Sequence, residues 1–208
     1  MAALRCSRRE SSWIGSSLLA TLVEARLENV GSGLAPVSEG WFVVNVRDAA
    51  WLTNETFGAR CVFEGGMPVL RRRPDLAAHR FPQLGITLQV IQPGQPSGLY
   101  HAETNQEDFL VLAGECLLLV EGEERRLQAW DFVHCPPGTE HVFVGAGDGP
   151  CVILMTGRRT PDRGIVYPRS ELARRYGAGV ETETRSPSEA YSGVPHWQPE
   201  RPETGFPY

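Results

Sequence analysis

From residue 41 onward the chain is a succession of short apolar runs cut by glycine, proline, asparagine and aspartate: GWFVVNVRDA, GITLQVIQPG, DFLVLAGECLLLVEGEE, WDFVHCPPG and PCVILMTG. Runs of this length, bounded by turn-forming residues, read as strands of an antiparallel sandwich or barrel. In EDFLVLA a period of two puts Glu107, Phe109, Val111 and Ala113 on one face and Asp108, Leu110 and Leu112 on the other. Both faces are largely apolar, which predicts a strand packed on two sides. VEGEER around Gly122 predicts a hairpin turn, and GAGDGP at 145–150 a second loop.

The flanks differ in character. With 208 residues there is room for one domain and its arms, and the strand pattern occupies residues 36–160. Residues 1–35 form an extension in which Ile14, Leu18, Leu19, Leu22 and Val23 repeat at helical spacing behind Ser11 or Ser12 as a cap. Its twin arginines and apolar stretch partly match an export signal, but the stretch is short and broken by Gly15, Ser16 and Ser17, so a docked or fraying helix is the better reading. In residues 161–208, RSELARRYG predicts a short helix stopping at Gly177. SPSEAYSG predicts another, with Ser186 and Glu189 as a capping box and Pro187 in the first turn. The proline-rich VPHWQPERPETGFPY beyond it reads either as a free tail or as an arm on a neighbouring surface.

Composition removes several kinds of chemistry. All twenty basic residues are arginine, so Schiff-base and P-loop lysine chemistry are excluded. The net charge of −5 and scattered arginines leave no footprint for nucleic acid, and no run approaches a membrane span. Five cysteines, Cys6, Cys61, Cys116, Cys135 and Cys151, without a CxxC pair fit neither a disulfide framework nor a zinc finger, and a reducing cytoplasm is expected.

The candidate chemistry lies in two segments. In YHAETNQEDFLVLAG, His101 and Glu103 are two apart on a strand and project to the same side, while Glu107 opens the next strand. In CPPGTEHVFV a rigid Pro-Pro-Gly turn precedes His141 at the head of another strand. Two histidines and two carboxylates from three strand ends can enclose one divalent ion. Without an ion, buried carboxylates would repel unless one were protonated. His134 either lines the pocket or is a satisfied interior histidine, and Cys135 and Tyr100 read as packing. Phe109, Val111, Phe132, Phe143 and Met155 are candidates for the apolar wall of the pocket. RRRPD at 71–75 reads as a solvated loop, with anion binding by Arg71, Arg72 or Arg73 as the lesser alternative.

These two segments resemble the paired motifs of the cupin superfamily. His101, Glu107 and Gly114 stand at the intervals of the first motif, with Glu103 in place of its second histidine; Pro136, Gly138 and His141 match the second, with Trp130 and Gly145 at its ends. Fifteen residues separate Gly114 from Trp130, as in compact cupins. The resemblance implies an all-β fold, a single cupin β-barrel of jelly-roll type over 36–160 with short helices at both ends. It also implies a divalent metal, with Mn, Fe or Zn suited to a mixed imidazole and carboxylate set, and a homodimer. His101, Glu103, Glu107 and His141 are then the ligand set. Alternatively His101, Glu107 and His141 form a facial triad with Glu103 beside it as general base. The expected function is a metal-dependent enzyme on a small-molecule substrate, an oxygenase or isomerase, against a non-catalytic ligand-binding or sensor barrel.

Overall fold

A computed structural model of the chain describes residues 23–64, 67–71, 83–160 and 164–202. All the apolar runs but one become strands; GWFVVNVRDA, expected as a strand, runs between β2 and β3 as coil and turn with bridges only at Trp41 and Ala49. The strands are β1 (Leu27–Asn29), β2 (Leu34–Pro36), β3 (Trp51–Asn54), β4 (Gly58–Phe63), β5 (Leu84–Ile91), β6 (Ala102–Glu103) and β7 (Glu107–Ala113). They continue with β8 (Glu115–Val120), β9 (Glu123–Gln128), β10 (Phe132–Cys135), β11 (His141–Ala146), β12 (Cys151–Arg158), β13 (Ile165–Val166) and β14 (Gln198–Pro199). Two short helices, α1 (Glu171–Arg175) and α2 (Pro187–Ala190), follow the main strands. The expected mostly-β chain with antiparallel sheets and few helices is therefore what forms. The N-terminal helix expected around Ile14–Val23 falls almost wholly outside the described residues, and Arg72 and Arg73 lie outside them too.

A seven-stranded sheet runs in the order β10, β7, β12, β5, β4, β3, β14, and a three-stranded sheet runs β11, β8, β9. β12 and β5 pair along eight residues, from Cys151 opposite Ile91 to Arg158 opposite Leu84. Phe109 and Val111 of β7, Leu118 of β8, Phe143 of β11 and Ile153 of β12 belong to one buried cluster, so the two sheets share a core. Leu112 of β7 packs instead on a second cluster around Trp51, Leu52 and Val90. Both faces of this strand are thus covered, the reason EDFLVLA has no cleanly polar side. Between β8 and β9, Glu121 (φ 48) and Gly122 (φ 79) make the two-residue turn, with positive φ at both positions matching the strand twist.

The segment after residue 164 folds back over the sheets. Ser170 and Ser186 cap α1 and α2, their hydroxyls accepting from the amides of Ala173 and Glu189. The proline-rich stretch, over its described residues 194–202, lies on its own sheet: β14 pairs with β3, Asn54 Nδ2 donates to the Pro195 carbonyl (2.6 Å), and Thr53 Oγ1 donates to Glu200 (2.9 Å). Among the described residues no helix is long and apolar enough to cross a membrane.

Candidate metal centre

His101 and His141 face each other across an antiparallel bridge. The His101 amide donates to the His141 carbonyl (3.2 Å) and the His141 amide to the His101 carbonyl (2.9 Å). Directly opposed residues of an antiparallel pair send their side chains to the same face, and the imidazole centroids lie 5.0 Å apart. The Pro136–Gly138 turn holds this approach, since Gly138 (φ 88) donates its amide to the Glu103 carbonyl at 2.8 Å. Glu107 heads β7, opposite Cys135 on one side and Gly157 on the other.

Ligand-capable atoms of His101, Glu107 and His141 lie within 4.8 Å of one another. His141 Nε2 is 3.7 Å from Glu107 Oε2, too long for a good hydrogen bond. It suits two ligands about 2.1 Å from a common ion, which stand roughly 3–4 Å apart. His101 Nδ1 lies 2.7 Å from the Leu99 carbonyl and His141 Nδ1 3.0 Å from that of Thr139. A carbonyl only accepts, so each Nδ1 carries the hydrogen and each Nε2 keeps its lone pair. Burial pushes the His141 imidazole down to about 4, with His101 adding to the effect and the Thr139 carbonyl opposing it. Burial also lowers His101, against its bond to Leu99 and the nearby Glu103 carboxylate. Two neutral imidazoles and one carboxylate are a donor set that fits Mn(II), Fe(II) or Zn(II).

Glu103 stands outside this converging trio. It lines, with His101, a cavity of about 1150 Å³ that also reaches Arg60, Tyr167, Tyr191 and Trp197. Other candidates divide. Tyr100 and Cys135 are buried packing residues; the Tyr100 hydroxyl accepts from the Gly122 amide (3.2 Å), and burial pushes the Cys135 thiol up to about 12. Phe109, Val111 and Phe143 are core. His134 is neither pocket-lining nor interior: it sits half-exposed on β10, 2.6 Å from Asp108. Phe132, expected in the pocket wall, is 65% exposed, because β10 is the sheet edge and its alternate residues face solvent. Arg60, Tyr191 and Trp197 are cavity residues that the motifs do not reach. An arginine inside the otherwise buried run GARCVF is the sequence signal for the first; the two aromatic residues carry none.

A family model described as "Cupin domain" matches residues 87–157, spanning both halves of the histidine pair. Over residues 87–157 the chain carries a cupin domain. No curated protein matches the chain. Among solved structures, it is similar to a candidate sugar phosphate isomerase from Acidithiobacillus ferrooxidans (27% identity, 53% of this chain and 65% of that chain, TM-score 0.42). It is also similar to a cupin-superfamily sugar phosphate isomerase from Silicibacter pomeroyi (24%, 59% and 79%, TM-score 0.44). KdgF from a Halomonas species is a third (22%, 59% and 97%, TM-score 0.45). The chain thus spans less than two thirds of the first of these proteins. One departure from the family motif has a visible backbone consequence: Trp130, where the motif has glycine, takes φ 77.

Proposed function

We propose that this chain holds one divalent ion, of the Mn, Fe or Zn class, on His101, Glu107 and His141, within a cupin barrel, and catalyses an isomerase-type proton transfer on a small molecule. The observation that carries the reading is the pair of lone-pair-bearing Nε2 atoms beside Glu107, with Glu103 left over on the wall of the adjoining cavity. When bound, the ion supplies Lewis acidity toward a substrate carbonyl. Glu103 then acts as the general base that moves a proton at the neighbouring carbon. Tyr167 and Tyr191 give that cavity aromatic walls, their rings in edge contact at 5.7 Å.

The same two-histidine, one-carboxylate set favours a second reading, an Fe(II) oxygenase. Two measurements separate them. Protein purified without chelator is assayed for bound metal, then for exchange of solvent deuterium into a panel of hydroxyketones and keto acids, and for oxygen uptake with Fe(II). Metal-dependent exchange that Glu103→Gln abolishes while retaining the metal supports the isomerase reading. Oxygen uptake without exchange supports the oxygenase, and a protein that takes up no metal ends both.

A further inference from the structure

We propose that the cavity binds an organic anion by its oxyanion end, a carboxylate or phosphate held by Arg60 with Arg71, so that the molecule presented to His101, Glu107 and His141 is an acid. This rests on the metal-site reading only for where the other end of the molecule goes.

Arg60 lies on β4 between the buried Ala59 and Cys61. Its guanidinium carbon is 3.8 Å from the centroid of the Trp197 ring, which fixes the plane of the fork. Its Nε is buried without a hydrogen-bond partner, and among the described residues no carboxylate comes within ion-pairing distance. The nearby Glu64 is taken by Arg159. A guanidinium sunk into a protein with no carboxylate paired to it directly is costly, and a bound anion would lower that cost.

The space around it has the matching character. A recess of about 250 Å³ is lined by Arg60, Arg71, His196 and Trp197 together with apolar residues, with no acid in its walls among the described residues. The same four residues line the 1150 Å³ cavity, so recess and cavity adjoin across them. The cavity's carboxylates, Glu103 and Glu140, join it from segments adjacent in sequence to His101 and His141. Among the described residues the recess is therefore cationic and free of acids, and the cavity carries one of the proposed metal donors, His101, and the base Glu103. A planar guanidinium matches two oxygens of a carboxylate or phosphate at once, as a lysine ammonium cannot.

The test uses the full chain after chelator treatment, followed by nitrogen–proton spectra of the arginine side chains. Inorganic phosphate, succinate and, as a neutral control, glucose are added in turn. The Nε–H resonance absent from the Arg60→Lys spectrum should move saturably with phosphate, succinate or both, and not with glucose. Whichever anion acts identifies the oxyanion. Calorimetry should show the affinity falling at least about tenfold in Arg60→Gln, partly recovered in Arg60→Lys, and by a smaller factor in Arg71→Gln, where the exposed side chain carries little folding risk. No saturable response to either anion, or unchanged affinity in both glutamine variants, overturns the proposal. Because the titration is metal-free, failure to bind metal would sink the proposed function and leave this result standing.

Discussion

Trp130 occupies a left-handed conformation (φ 77) with 77% of its surface exposed, so little packing offsets a strain of about 1–2 kcal/mol. Glycine removes the strain but returns some of the gain as chain entropy; Trp130→Gly should stabilise by up to about 1 kcal/mol, read as a higher denaturant midpoint. Gly145 presents the opposite case: a Cβ there would lie 2.1 Å from the Gln92 carbonyl oxygen, backbone that cannot yield cheaply. Gly145→Ala should cost about 2 kcal/mol or more. The histidines set a pH dependence. Well above pH 6.5 His101 and His141 are neutral in both folded and unfolded chains. As pH falls toward 4, the unfolded chain takes up protons that folded His141 refuses. Metal-free protein should therefore lose on the order of a few kcal/mol across that window. Melting temperatures at pH 7 and pH 5 check this, and the fall should flatten in His141→Gln.

Among the elements, the returning segment 187–202 is held by few bonds, and Asn54 is the most connected of them. Its Nδ2 donates to Pro195, and its Oδ1 accepts from the amides of Thr56 and Phe57. Asn54→Ala should cost about 1–3 kcal/mol and speed hydrogen exchange in 187–202, with amides of the β5–β12 pair staying protected; uniform loosening of both would show that the segment is not a separate unit. β5, β7, β8, β10 and β12 were legible because each lies in an apolar run bounded by turn residues, whereas β9, EERRLQ, has no apolar period and follows only from the hairpin turn at Gly122. The two-residue strands β13 and β14 were not legible, since each exists only because a partner distant in sequence pairs with it. The same divide runs through the site. His101, Glu107 and His141 follow from motif spacing, whereas Glu103 is placed by β6 pairing with Ile165 and by the Gly138 amide, contacts no local pattern encodes. Arg60 escaped for that reason too: its significance depends on Trp197, which approaches from the far end of the described chain.

For the molecule as a whole, an ion on the proposed trio links folding to metal. Free metal at about 100 times its dissociation constant adds roughly 2.7 kcal/mol, a rise of about 5–10 °C for a chain of this size. Thermal melts with Mn(II), Fe(II) and Zn(II) should show that rise, and His101→Ala combined with His141→Ala should abolish it; equal shifts in wild type and double variant would place the ion elsewhere. The order of the large sheet has a consequence for biosynthesis. β12 lies between β7 and β5, yet it is made after both. A nascent polypeptide on the ribosome therefore carries two sticky strand margins with nothing between them until Cys151–Arg158 emerges and zips them together. That interval is when the newborn protein is most exposed to clumping, and when a holding chaperone would have most to do.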